Sequence, residues 1–236
     1  MLVFLAFFFC AIGVVVHARL LFTVLMPGGS GLTLATAASL IGLQLALTGL
    51  LGGIEPTLRG VSAGLLFLAA ITSLGGGPAT DAVAADLSWQ IRAHVMTSMF
   101  AYGLLTIGAI VAIYALVQDR RLRSGRLSSV NHLFAPLETT ENLLYAVTAT
   151  GFTVLALSVV SGVTFIEDLF AQHLVHKTGL SLLALVLFGI LLLGRHFAGW
   201  RGKRAVYLYL ASFVVLSLAY FGSRYVLEEL LGRTWG

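Results

Sequence analysis

Seven stretches of this chain are long, apolar and almost free of charge, and that pattern decides what the chain can fold into. A helix needs about 20 consecutive apolar residues to cross roughly 30 Å of hydrocarbon. Runs of this kind lie near residues 2–26, 32–53, 57–75, 91–117, 139–165, 177–194 and 205–223. Inside a bilayer every backbone N–H and C=O must be bonded within the protein, which leaves helices and closed β-barrels. Barrel strands alternate apolar and polar residues, and these runs do not alternate. The expected fold class is all-α, a polytopic transmembrane helix bundle of about seven spans, with residues 1–236 as a single integral membrane domain. Composition agrees: 58% of the residues are hydrophobic and 10% charged, against about 25% charged in a typical soluble domain.

The interruptions between runs have the chemistry of turns and helix ends. Pro27-Gly28-Gly29-Ser30-Gly31, Glu55-Pro56 and Gly75-Gly76-Gly77-Pro78 each break an apolar stretch with residues that disfavour helix continuation. Pro136, followed by Glu138 and Glu141, suits a helix start, where acids meet the positive end of the helix dipole. Gly49-Leu50-Leu51-Gly52-Gly53 is read as a close-packing surface between helices. No repeat of 20–50 residues and no linker between domains is visible. The chain opens Met1-Leu2-Val3-Phe4 without a basic stretch or a small-residue cleavage site. Its first run is therefore expected to be a retained span, not a signal peptide.

Charge gives the orientation. Arg120, Arg121, Arg123 and Arg126, then Arg195, Arg201, Lys203 and Arg204, fall with Arg59 on one side of the expected topology. The positive-inside rule makes that side cytoplasmic, with the N-terminus inside and the C-terminus outside. The formal charge of +4 is accounted for by these loops, and no nucleic-acid partner is expected; the lipid bilayer is. Cys10, the single cysteine, allows neither an internal disulfide nor a CxxC redox pair, and it reads as a small buried hydrophobe.

Ionisable groups in or beside membrane spans are the candidates for function, because hydrocarbon makes them costly. Among six histidines, His132 in a basic loop and His196 at a span end read as interfacial. His94 and His176 fall on the outer side, each at the start of a span, where the helix dipole disfavours imidazolium. Neutral imidazole is the form that ligates iron. Arg92 and Lys177 stand beside them and could pair with acidic groups of a ligand. A haem has matching needs: axial ligands for its iron, apolar surroundings for its macrocycle and cations for two propionates. The alternative for both histidines is a structural interfacial role. His17, with Arg19, interrupts the first span and either binds a ligand or hydrogen-bonds a neighbouring helix. His173 and His176 share a helical face, but two histidines without a third ligand make a weak zinc signal. Met96 and Met99 read as packing residues. HExxH, GxSxG, the P-loop and the dinucleotide-binding glycine pattern are all missing from the sequence. No inverted repeat or pair of broken spans suggests a transporter.

Several segments resemble the cytochrome c assembly protein family, most of all its YpjD/HemX-type branch, which is related to the haem-handling proteins CcsA and CcmC. They are Glu167 to Thr178, Gly199-Trp200-Arg201-Gly202-Lys203-Arg204-Ala205, and Leu218-Ala219-Tyr220-Phe221-Gly222-Ser223. Ala93-His94-Val95 leading to Ser98 and Tyr102, and Gly151-Phe152 leading to Ser161-Gly162, fit as well. The resemblance covers residues 90–232 well and the first 90 loosely. It implies a multi-pass protein of the bacterial inner membrane that binds haem (b-type, non-covalent) near the outer face and works with other cytochrome c assembly proteins. His94 matches the family's first outer-face haem histidine, and His17 matches a histidine within an early span. The chain departs from CcsA and CcmC in lacking tryptophan over residues 164–177 and histidine from Arg224 to Gly236. His176 is the substitute for that second histidine. The expectation is an accessory haem-handling protein, not an enzyme, with cofactor-binding residues His94, His176, His17, Arg92 and Lys177. The alternative is a non-haem regulatory or scaffolding membrane protein linked to tetrapyrrole biosynthesis.

Overall fold

A computed structural model describes residues 2–25, 34–74, 89–124, 136–165 and 172–222. Every regular element among them is helical. The order is α1 (Leu2–Leu25), α2 (Leu34–Gly52), a short 3-10 turn (Pro56–Leu58), α3 (Arg59–Leu74), α4 (Trp89–Arg123), α5 (Leu137–Phe165), α6 (Gln172–Ala198) and α7 (Lys203–Ser217). The last helix ends in a π-type turn over Leu218–Gly222. Six of these helices are long and apolar enough to cross a membrane, and Thr36–Gly52 is a shorter apolar helix. This is a helical membrane bundle of about seven helices.

The helices depart from the expected spans at their ends. α4 has 35 residues, about 50 Å of helix, and so outruns the hydrocarbon by several turns. Arg120, Arg121 and Arg123 lie in its last turn instead of in a loop. Cations are favoured there by the negative end of the dipole, and Arg123 Nε meets Asp119 Oδ1 at 3.0 Å across one turn. α6 begins at Gln172, so His176 sits in its second turn, as His94 does in α4. The dipole acts mainly within the first turn. The position of these two histidines relative to a helix start is therefore a weaker electrostatic argument than the sequence suggests.

Contacts divide the chain into two compact units: residues 1–87 with 117–140, and residues 88–116 with 141–236. In the first, α2 and α3 pack backbone to backbone. A Cβ on Gly49 would come within 3.0 Å of Leu66 Cγ and 3.1 Å of the Ser62 carbonyl, so only glycine permits this approach. At the other end of the 117–140 segment, the buried Thr140 hydroxyl donates to Gln118 Oε1 at 3.3 Å.

The second unit is organised around Tyr209, which has no exposed surface. Its ring meets Phe188 edge to face at 5.2 Å, and its hydroxyl donates to the Leu105 carbonyl at 2.7 Å. That hydroxyl reaches α4 because Gly108 has no side chain; a Cβ there would collide with it. Tyr102, one turn before Leu105, donates to the Leu216 carbonyl at 2.6 Å. Leu216 lies just before α7 changes to the π-type turn, where the helical hydrogen-bond register shifts and a carbonyl is open to an outside donor. Gly108→Ala is expected to destabilise the detergent-solubilised protein by about 1–3 kcal/mol through overpacking, read as an earlier loss of helicity on heating. An equal substitution at exposed Gly179, which has open space around it, should leave the transition in place.

Candidate functional site

Polar side chains of the second unit gather at two levels along α5. Glu141 marks one and Ser161 the other. Twenty residues of helix separate them, about 30 Å, which is the thickness of the hydrocarbon core. The two clusters thus lie about one hydrocarbon thickness apart, near the two ends of the candidate span Leu137–Thr164.

At the Glu141 level a clamp fixes the connection between α6 and α7. Gly199 and Gly202 take positive φ of 61° and 63°, a backbone region open to glycine at little cost. α7 starts with Lys203 and Arg204, the wrong charges for the positive end of a helix dipole. Glu141 supplies the missing acid from α5, accepting from the Gly202 N–H at 3.0 Å. Arg195 of α6 lies 3.7 Å from the same carboxylate, donates to Asn142 Oδ1 at 3.3 Å, and faces the Tyr145 ring at 5.7 Å. The Trp200 ring covers Gly194, and the Trp200 N–H donates to the Gly194 carbonyl at 3.1 Å. A cavity of about 30 Å³ remains among these groups, room for about one water molecule. This end is built as a structural joint. Glu141 was expected to serve its own helix start; its carboxylate instead caps α7.

At the Ser161 level the centre is His94. Its Nδ1 is 2.9 Å from Ser161 Oγ, and Ser161 donates to the Ser158 carbonyl at 2.8 Å. Ser98, one turn along α4, donates to the His94 carbonyl at 2.8 Å and lies 2.6 Å from Ser158 Oγ. The imidazole rests on Gly162, where a Cβ would be 3.0 Å from Cε1. The sequence places these groups together by spacing. His94, Ser98 and Tyr102 recur every fourth residue on one face of α4, and Ser161 and Gly162 lie three and four residues after Ser158, on one face of α5. Among the described residues the ring's hydrogen bond of measured geometry is at Nδ1, and the Ser158 backbone also lies within reach of the ring. Beyond Tyr102 the same end continues into an aromatic group. Tyr102 and Tyr220 rings are 5.7 Å apart, and the Lys177 ammonium lies 5.7 Å from the Tyr220 ring centre.

The other residues singled out by sequence fall as follows. Arg92 is exposed in the first turn of α4. His173 and His176 belong to the backbone of α6, and their side chains lie outside the described residues, as does all of His132. His17 belongs to the first unit, where its Nε2 is 2.7 Å from Ser39 Oγ on α2; of the two roles open to it, this contact is the helix-pairing one. His196 is exposed, with its ring edge-on to Phe197 at 4.8 Å. Met99 is buried and Met96 exposed. Among the described residues no group of three or more His, Cys, Asp or Glu could hold a metal ion. Sequence reasoning missed the serines as partners of His94 and Glu141 as a cap, although the helical spacing of Ser158 and Ser161 was there to be used.

The fold is that of a class of helical membrane proteins, here with a histidine, His94, held by serines of a neighbouring helix. Residues 1–231 match the family described as Cytochrome C assembly protein, and the chain belongs to that family. It is 33% identical over 138 residues to the inner membrane protein YpjD of Escherichia coli strain K12, covering 58% of this chain and 52% of that one. An uncharacterised 28.8 kDa protein of Azospirillum brasilense is 32% identical over 144 residues, 60% of this chain and 53% of its own. The cytochrome c biogenesis protein CcsA of Guillardia theta is 25% identical over 159 residues, again 60% and 53%. The chain thus spans about half the length of the curated relatives it matches. No solved structure matches it significantly.

The clamp yields a graded expectation. Glu141→Ala removes the cap of α7 and leaves Arg195 short of its partner, and should cost about 1–3 kcal/mol. Glu141→Gln keeps an acceptor for the Gly202 N–H and should cost clearly less. Chemical unfolding in detergent, followed by Trp200 fluorescence, orders the two; equal losses would mean that the Arg195 charge pairing outweighs the cap.

Proposed function

We propose that this protein binds haem at the His94 end of its second unit and assists cytochrome c assembly as an accessory component of the bacterial inner membrane. Membership of the cytochrome c assembly family supports a role in cytochrome c biogenesis, and the inner membrane relative supports the location. The observation that carries the haem reading is the state of His94. Its Nδ1 is 2.9 Å from Ser161 Oγ, with the Ser158 backbone also in reach of the ring, and among the described residues no side chain meets Nε2. Ligating histidines characteristically have one ring nitrogen held by a second-shell group and the other given to the metal.

The residues present fit a haem in kind. His94 Nε2 would ligate the iron. Lys177, at the same end, and Arg92, two residues before His94, would meet propionates. His176, the residue before Lys177 on α6, would be the candidate for a second iron ligand. A bound haem supplies the iron centre that is to be delivered to an apocytochrome; the chain itself holds, orients and shields it. We read the role as accessory and not as that of a synthase, because the tryptophans of the CcsA and CcmC pattern are missing over residues 164–177.

The same reading sets the orientation. The His94 end faces the outer side and the Glu141 end the cytoplasm, because Arg195, Arg201, Lys203 and Arg204 collect at the latter. This leaves the N-terminus inside and the C-terminus outside.

Titrating haemin into the detergent-purified protein tests the site. Wild type should develop a sharp Soret band and, on reduction, resolved α and β bands of low-spin haem. His94→Ala should lose at least ten-fold in affinity and the low-spin bands with it. A wild-type spectrum identical to that of free haemin in detergent, or an unaltered spectrum in His94→Ala, would refute the haem reading.

A further inference from the structure

The hydroxyls around His94 admit one assignment of hydrogens that satisfies all their contacts. A serine hydroxyl has a single hydrogen to donate and can accept at its oxygen. Ser98 directs its hydrogen to the His94 carbonyl at 2.8 Å. Its 2.6 Å contact with Ser158 Oγ must then be donated by Ser158. Ser161 directs its hydrogen to the Ser158 carbonyl at 2.8 Å. Its 2.9 Å contact with His94 must then be donated by the ring, from Nδ1. The chain of donors runs from the imidazole through Ser161 to the Ser158 carbonyl, and from the Ser158 hydroxyl through Ser98 back to the His94 carbonyl.

We propose that Ser161 is a positioning residue that pins the ring hydrogen of His94 on Nδ1 and so leaves the lone pair on Nε2 as the ligating atom. The opposite tautomer would have two defects. Nδ1 would become an acceptor, forcing the Ser161 hydrogen off the Ser158 carbonyl. Nε2 would become an N–H donor with no side-chain partner among the described residues, and a poorly satisfied donor away from water is costly. Gly162 completes the arrangement by letting the ring come close to α5, since a Cβ there would be 3.0 Å from Cε1. The neutral ring with a free lone pair is the form a metal takes, so Ser161 acts on the ligand through His94 without touching it. The use of this device rests on the haem reading above, but the tautomer does not.

The test reads both separately. Protein labelled with 15N-histidine is examined by nitrogen NMR in detergent at alkaline pH, with His94 assigned by its loss in His94→Ala. Wild type should show a protonated-type Nδ1 and an unprotonated-type Nε2. Ser161→Ala should move the signal pair toward exchange between the two tautomers, and Ser161→Thr, which keeps the hydroxyl, should restore the wild-type pattern. Haemin affinity should fall about 10-fold or more in Ser161→Ala, the range typical of lost second-shell partners, and recover in Ser161→Thr. A wild-type Nε2–H tautomer, or a Ser161→Ala spectrum identical to wild type, would overturn the proposal. A Ser161-dependent Nδ1–H tautomer in a protein that binds no haemin would uphold it while refuting the haem reading.

Discussion

Hydrocarbon offers no partner to a polar group, and the rest of this structure follows from where the protein finds partners instead. Within the membrane the backbone bonds itself in helices. Polar side chains of the second unit that are buried there turn to carbonyls: Tyr209 to Leu105, Tyr102 to Leu216, Thr148 to Leu144. Polar clusters with richer chemistry are confined to the two margins, a helix length of about 30 Å apart on α5. One is saturated by its own members. Glu141, Arg195, Asn142 and the Gly202 N–H satisfy each other around a cavity fit for a water molecule. In the other, among the described residues, the serines and the His94 Nδ1 satisfy each other while no side chain meets Nε2 of His94. That asymmetry is what separates a joint from a site.

The two clusters also explain the distribution of special backbone. Glycines with positive φ occur at the joint, where the chain must reverse between α6 and α7 within four residues. The π-type turn occurs at the other margin, after Leu216, where an outside hydroxyl from α4 meets the carbonyl near the change of register. Such turns are frequent at functional positions, and this one carries Tyr220, the residue that joins Tyr102 to the Lys177 ammonium. His94, Tyr102, Tyr220 and Lys177 are thereby tied to one end of the unit by three helices and the turn that closes the last.

The bundle was legible in the sequence because length and apolarity alone specify a spanning helix. The ends were less so: α4 continues to Arg123 because arginines near a helix C-terminus are favoured, and a hydropathy pattern does not register that. His94 could be singled out as a costly ionisable group at a span end. Its serine partners could not be weighted in the same way, since serines are common in membrane helices and only the meeting of α4 with α5 makes Ser158 and Ser161 its neighbours. His17 left two roles open by sequence, and the Ser39 hydroxyl on α2 supplies the partner that one of them required. Glu141 shows the same limit from the other side. Its place near a helix start was readable, but the helix whose dipole it serves lies about 60 residues further on.

The account turns on whether His94 serves cytochrome c assembly in the cell. The most direct measurement is the amount of covalently haem-bearing cytochrome c, read by haem-stained gels of membranes from a strain lacking this protein and complemented with variants. Wild type should restore the cytochromes, while His94→Ala, present in the membrane at the wild-type level, should leave them close to the uncomplemented strain. Full restoration by His94→Ala would contradict the account and return the histidine to a packing role.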